Sequence, residues 1–373
     1  MDLSHSDEQR LLQESANSLL AARAGKASAQ DLWREVADLG WLGLPLPEAD
    51  GGLGQSTVDV AIVAEAMGRH LVSAPYVANI VLGGGLVAAL GSGDQRAKIL
   101  PALAEGKLRL ALAHAEEGAR HNLRHVTTQA QRAGDGWTLS GRKIAVLAGG
   151  EADSLIVSAR VSGGSNDAQG VGLFLVDRTA AGVALETYPT VDGGSAARVS
   201  LDGVKLGADA LLGAGEDALP QIERAVDRAI AAWASELVGV MESATAATIE
   251  YTKIRVQFGK PLAVNQVLRH RMADMSIACE EARSMALRAA IYADSDDATE
   301  RARAASGAWA KVSRAARFVA EQAVQLHGGM GVTNELQIGG YLKRVLALDA
   351  IAGGPDHHLR RHAALSARGA ATA

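Results

Sequence analysis

The last third of the chain holds two segments whose residue types could do chemistry. The first reads Tyr251-Thr-Lys-Ile-Arg255-Val-Gln257-Phe258-Gly259-Lys260-Pro261-Leu262, followed by Gln266 and by His270-Arg-Met-Ala-Asp274. A long helix ends there in a cationic stretch, a Gly-x-Pro turn reverses the chain, and a new helix starts. Arg255 and Lys260 gather positive charge where that helix presents free N–H groups, which makes a chemically sensible anion site. A plain charged turn between helices has the same signature. The second segment is Gln325-Leu-His327-Gly328-Gly329-Met330-Gly331, then Tyr341-Leu-Lys-Arg344. Without a Cβ, glycine lets a backbone lie against a ligand. Gly328-Gly329 also serves as an ordinary helix stop.

Other patterns carry less. Gly83-Gly84-Gly85-Leu86-Val87-Ala88 fits G-x-G-x-x-A, but it lies inside an apolar helical stretch and not at a strand-to-helix turn. It reads as close helix packing. The pairs His121/His125 and His358/His362 have i, i+4 spacing without the glutamate of H-E-x-x-H, so no metal site is expected. Cys279 shares an apolar helical face with Met272 and Met275 and reads as a buried, inert thiol.

Three regions must position these residues. Residues 1–110 read as helices joined by short loops, the first capped by Ser6 with Asp7 and Glu8 in its opening turn. Segments 59–69, 76–90 and 95–103 continue the helical pattern. Residues 111–215 change texture. Val126-Thr-Thr, Trp137-Thr-Leu, Leu155-Ile-Val, Val171-Gly-Leu-Phe-Leu-Val and Val199-Ser-Leu are β-branched runs separated by Gly134-Asp-Gly136, Gly149-Gly150, Gly163-Gly164 and Asp202-Gly203. Such punctuation predicts a small antiparallel barrel or sandwich. Residues 216–373 return to long amphipathic helices, and the spacing predicts a four-helix bundle with an unstructured tail after Ala367. The fold class is α+β.

Composition narrows the partners. Of 373 residues, 48% are hydrophobic and 21% charged, the balance of a globular protein, and the formal net charge of -5 argues against nucleic acid. Aromatics are only 3% while glycines number 41, so the core must be built from small aliphatic side chains. One cysteine excludes an internal disulfide. No signal peptide and no membrane span are expected, which makes the cytoplasm the default compartment.

Together, at this separation and after a β region, the two segments resemble the acyl-CoA dehydrogenase family. Residues 255–261 match R-x-Q-F-G-x-P and residues 325–331 match Q-x-x-G-G-x-G. Within the family the chain looks most like the small subunit of pimeloyl-CoA dehydrogenase. Ala113-His-Ala-Glu-Glu-Gly-Ala-Arg120, Gly172-Leu-Phe-Leu-Val-Asp177 and Asp356-His-His-Leu359 carry that likeness.

The resemblance implies FAD bound in extended form between the β domain and the bundle, across a subunit interface. Arg255 would clamp its pyrophosphate, with Phe258 and Gln266 nearby. Gln325, Gly328 and Gly329 would line it from the neighbouring subunit, and Pro355 and His357 would touch it again. Asp227 and Arg228 fall where the family meets the acyl-CoA thioester arm. The implied reaction is α,β-desaturation, with electron-transfer flavoprotein as electron acceptor. The family's usual base is a glutamate nine residues after the arginine matching Arg344, and that position is Gly353. The alternative base position, on the first long bundle helix, falls near Ala229. Where the family reads T-E-P-x-x-G-S-D, this chain has Ala113, His114, Ala115, Gly118, Ala119 and Arg120, and the threonine at the flavin edge becomes Leu147.

These departures point to the β-type partner of a heterotetramer whose paralogous subunit supplies the glutamate. A self-sufficient enzyme with an unusual base remains open: Asp356, or Asp349, Glu116 or Glu117. So do a scaffold without flavin and a flavin monooxygenase. Likeness to the pimeloyl-CoA enzyme suggests a dicarboxyl-CoA or a bulky steroid or alicyclic CoA, with Arg120 as a candidate partner for a side-chain carboxylate.

Overall fold

The computed structural model describes residues 4–26, 28–213, 215 and 217–371. In chain order the helices are α1 (Asp7–Arg23), α2 (Ala29–Asp38), α3 (Thr57–Arg69), α4 (Gly85–Leu90), α5 (Gly93–Ala104), α6 (Leu219–Ile254), α7 (Gln266–Tyr292), α8 (Ala298–His327), α9 (Ile338–Ala352) and α10 (Pro355–Ala371). The strands are β1 (Leu110–Ala113), β2 (Gln129–Ala133), β3 (Gly136–Leu147), β4 (Ser154–Arg160), β5 (Val171–Asp177), β6 (Val183–Pro189), β7 (Ser195–Leu206), β8 (Val256–Gln257) and β9 (Lys260–Pro261). They divide into two compact units.

The first unit joins residues 1–27 and 57–73 to everything from Ile230 onward, so α1 and α3 pack with α7–α10 and most of α6. Ser6 opens α1 with a full capping box, its hydroxyl on Gln9 N–H and the Gln9 side chain on Ser6 N–H. Small residues bring the helix backbones together. A Cβ on Gly68 of α3 would lie 1.9 Å from the Glu236 carbonyl oxygen of α6, and one on Gly239 would lie 2.0 Å from that of Glu65. Beside this crossing Glu65 takes Arg69 at 2.8 Å and Arg283 at 2.9 Å, and both arginines also bind Glu242. Two cations and two anions thereby tie α3, α6 and α7. Alanines fill the seams, with Ala231, Ala289, Ala293 and Ala308 packed around Met285. Asp297 caps α8, which ends where Gly328 turns to φ +59. α10 runs to Ala371, so the expected break after Ala367 does not occur; the last two residues lie outside the described ones.

The second unit holds residues 28–56 and 74–229. Its centre is one seven-stranded sheet in the order β1-β4-β2-β3-β7-β6, with β5 on the far edge of β4. Most pairs are antiparallel, but β1 and β2 both run parallel to β4, which a barrel of successive hairpins would not show. Val126-Thr-Thr, expected as a strand, is extended chain without a ladder. The Thr127 and Thr128 N–H groups donate to the Glu116 carboxylate instead of to a neighbouring strand. The core packs Trp137 edge-on against Phe174 at 5.1 Å. Around the sheet lie α2, α4 and α5. The segment expected as one helix over residues 76–90 begins as a π-helix at Val77–Gly84 and becomes α4. Gly83 is buried there, and a Cβ would meet the Leu110 side chain at 2.8 Å, so its glycine serves packing.

Candidate cofactor and active site

The two C-terminal motifs meet at one end of the helices in the first unit. Tyr251, one turn before Arg255, stacks on His327 at 4.2 Å between ring centroids, and its hydroxyl reaches the His327 carbonyl at 3.5 Å. His327 immediately precedes Gly328-Gly329. Burial lowers its pKa, and its Nδ1 lies 2.8 Å from the Ala323 carbonyl. After α6, β8 and β9 form a two-residue hairpin whose apex is Phe258 at φ +53 and Gly259 at φ +75, the left-handed pair of a type I′ turn. Phe258 is fully exposed, and Arg255 and Gln266, the first residue of α7, are exposed. The Arg255 guanidinium has no hydrogen bond or ion pair among the described residues. Gln325 is exposed one turn before the glycines, and a Cβ on Gly328 or Gly329 would meet nothing within 4 Å.

Gly353 closes α9 at φ +91 and ψ 131, a conformation that belongs to glycine. Its N–H bonds the Asp349 carbonyl at 3.1 Å, and its own carbonyl accepts from the buried Trp309 indole at 2.7 Å. His358 Nε2 sits 2.9 Å from the Ala352 carbonyl. The corner is therefore locked from both sides. Pro355 is the first residue of α10 and His357 lies edge-on to His358 at 5.0 Å. Asp356 stands in the first turn of α10, past the cap position, with an exposed carboxylate 2.9 Å from Arg314. Asp349 accepts from Ser313 at 2.5 Å, and burial raises its pKa. Arg344 is paired with buried Glu236 at 2.6 Å.

In the second unit Asp227 is buried on α6 with Arg228 beside it, and Ala229 has no exposed surface. Leu147 ends β3. Arg120 is exposed at φ +45 and His121 follows at φ +65, so His121 and His125 do not share a helical face. His125 binds Asn166, while His358 and His362 each meet a backbone carbonyl. No metal-binding group of side chains is found among the described residues. Cys279 is buried beside Thr245, and burial pushes its thiol pKa up.

Sequence reasoning missed a buried polar cluster beneath residues 113–128. Lys143, with no exposed surface, donates to Glu116 at 2.6 Å, to Ser158 at 2.9 Å and to the His114 carbonyl at 3.3 Å. Its three protons are then used, so the Ser158 hydroxyl gives its own to His114 Nδ1 at 2.9 Å. This leaves His114 as the neutral Nε2–H tautomer. Burial, and then the Lys143 charge, push the His114 imidazole down to about 3. Burial alone would raise Glu116, but the Lys143 charge and the bonds from Lys143, Thr127 and Thr128 outweigh it and hold the carboxyl at about 2. The sequence hides it: Glu116 stands beside Glu117 and Lys143 beside Arg142, pairs that read as ordinary surface charge.

Comparison with known proteins decides the family. Three models match in sequence order: acyl-CoA dehydrogenase N-terminal domain at residues 6–107, middle domain at 111–204 and C-terminal domain at 220–367. The chain belongs to the acyl-CoA dehydrogenase family. It is similar to acyl-CoA dehydrogenase FadE12 of Mycobacterium tuberculosis, 32% identical over 310 residues that cover 82% of this chain and 79% of the relative. Among solved structures it is similar to the Tcur3481-Tcur3483 steroid ACAD G363A variant, with TM-score 0.86, 31% identity and coverage of 98% and 99% of the two chains. It is also similar to the ChsE4-ChsE5 complex from Mycobacterium tuberculosis, with TM-score 0.87, 26% identity and the same coverage.

As an acyl-CoA dehydrogenase the chain is an FAD-dependent oxidoreductase acting on acyl-CoA. The residues present fit that cofactor. A diphosphate needs cations and close backbone approach, and the first unit offers an arginine with no partner among the described residues and an open glycine corner. Among the described residues no helix is long and apolar enough to cross a membrane.

Proposed function

We propose that this acyl-CoA dehydrogenase chain is the β-type subunit of a heteromer, the half that holds cofactor without supplying the base. The observation that carries this reading is Gly353. The residue at the family's base position has no side chain, and its φ of +91 suits no other residue well. Ala229, the alternative position, is buried and neutral. Asp356 is exposed and held by Arg314, and Glu116 is spent on Lys143 and two threonines, so neither stands ready as a base.

Desaturation removes a proton from Cα of the thioester and a hydride from Cβ. The chemistry supplied by bound FAD is acceptance of that hydride. This chain would contribute Arg255, with Phe258 and Gln266, to the pyrophosphate, and Gln325, Gly328 and Gly329 to the rest of the dinucleotide. Pro355 and His357 would complete the contact, and Asp227 with Arg228 would meet the thioester arm. A thioester α-proton is weakly acidic, so a carboxylate from the paralogous subunit must lie within reach of Cα. Two similar solved structures are named as pairs of different polypeptides, which supports a heteromer, and the assembly in this reading is a heterotetramer. The electron acceptor in this reading is electron-transfer flavoprotein, and a similar protein is the CarC subunit of a caffeyl-CoA reductase-Etf complex. The acyl group is a dicarboxylate or a bulky ring system, as in the small subunit of pimeloyl-CoA dehydrogenase and its kin, and the compartment is the cytoplasm.

The test is to purify the chain alone and with its paralogous partner and to follow desaturation of CoA thioesters with an artificial acceptor. Activity should require both chains, with FAD retained in the pair. Full activity from the lone chain overturns the reading and returns Asp356 to contention.

A further inference from the structure

One carboxylate closes the loop over residues 117–126. Glu116 is 3% exposed, and its two oxygens divide their work. Oε1 takes Lys143 at 2.6 Å, Thr128 Oγ1 at 2.7 Å and Thr128 N–H at 3.0 Å, all facing the sheet. Among the described residues Oε2 takes only Thr127, through its N–H at 2.6 Å and its hydroxyl. Neutralising Lys143 needs one oxygen; the second is devoted to the far end of the loop. Between these anchors Gly118, Arg120 and His121 have φ of +84, +45 and +65. Two successive non-glycine residues in the left-handed region persist only where their surroundings impose it. Buried Arg160 fastens the same loop through the Arg124 carbonyl at 2.8 Å. The result is an exposed Arg120 whose guanidinium has no partner among the described residues, on a loop that also carries Arg124, His121 and His125 against the single acid Glu117.

We propose that Glu116 is a positioning residue that holds residues 117–126 so that Arg120 meets an oxyanion of the bound acyl-CoA. This rests on the reading of the chain as a binder of CoA thioesters. The oxyanion comes from one of two sources, the phosphates of coenzyme A or a carboxylate at the far end of the acyl chain. Glu116 touches neither and acts through Arg120.

The experiment uses the co-purified, FAD-loaded complex and titrates free coenzyme A, heptanoyl-CoA and pimeloyl-CoA by calorimetry. R120A should weaken the affected ligands about tenfold. Loss confined to pimeloyl-CoA assigns the acyl carboxylate; equal loss for all three assigns the phosphates. T127V removes one donor to Oε2 at nearly constant shape and should weaken the same ligands less, and E116Q/K143M should follow it. The deciding comparison is the double-mutant cycle. T127V placed on R120A should cost no further affinity. Equal weakening by T127V with and without Arg120, or no effect of R120A on any of the three, overturns the proposal while the wild-type complex still binds. If the wild-type complex binds none of the three, the functional reading falls, and the loop assignment with it.

Discussion

His114 makes the stability of the second unit depend on acid in a calculable way. In the unfolded chain its imidazole takes a proton near 6.5, and in the fold it refuses one until about 3. A group with a depressed folded pKa stabilises fully above its unfolded value and loses that contribution as pH falls. Between pH 8 and pH 5 the unfolded state gains a proton that the folded state does not accept. At about 1.4 kcal/mol per pH unit below 6.5, the loss is about 2 kcal/mol. H114N keeps an acceptor near the Ser158 hydroxyl but cannot titrate, so it should lose about 2 kcal/mol less over the same interval. Urea unfolding followed by tryptophan emission at both pH values measures this, as a difference of about 1 M between the two midpoint shifts. Midpoints that fall in parallel for wild type and H114N would refute the neutral, buried tautomer and the proton order derived from it.

The remaining predictions concern packing, charge and cofactor. G68A forces a Cβ to 1.9 Å from a carbonyl oxygen and should cost about 3 kcal/mol in thermal unfolding, whereas G93A, with nothing within 4 Å, should cost nothing. K143M leaves Glu116 buried without its cation and should destabilise by about 3–5 kcal/mol, most of it recovered by adding E116Q. R255A should lower the flavin retained by the purified complex, read as the ratio of absorbance near about 450 nm to that of protein. G353E should lower the melting temperature and still give no desaturation by the lone chain, because the side chain enters a backbone conformation at φ +91.

Local signals were legible wherever neighbours in sequence decide the structure. Ser6 with Asp7 and Glu8, and Gly328 after His327, mark helix ends because the cap is made within a few residues. Gly134-Asp-Gly136 marks the β2–β3 hairpin for the same reason. Asp202-Gly203 misleads, since β7 continues through it to Leu206 and Gly203 bends the strand at φ +61. β1 and β6 escaped notice because Leu-Ala-Leu-Ala and Val-Ala-Leu-Glu-Thr-Tyr-Pro are poor in β-branched residues; pairing with β4 and β7 makes them strands. In the candidate site, the motifs around Arg255 and Gly328 were visible separately, but the Tyr251–His327 stack that joins them was not. The ion clusters were hidden too. Glu65 and Arg69 sit one turn apart, yet Glu242 and Arg283 reach them only through the packing of distant helices.

The glycine crossing of α3 and α6 also bears on how the polypeptide is born. Thr57–Ser73 belongs with a partner helix whose packed portion starts at Ile230, so on the ribosome α3 must wait while the whole β-sheet is synthesised. Its side bearing Ala61, Ile62, Glu65 and Gly68, which meets Ser235, Glu236 and Val238 of α6, stays without that partner throughout the delay. A fragment cut at the start of the C-terminal domain would inherit the complementary wound along α6, and would be a poor starting point for expressing the helices by themselves.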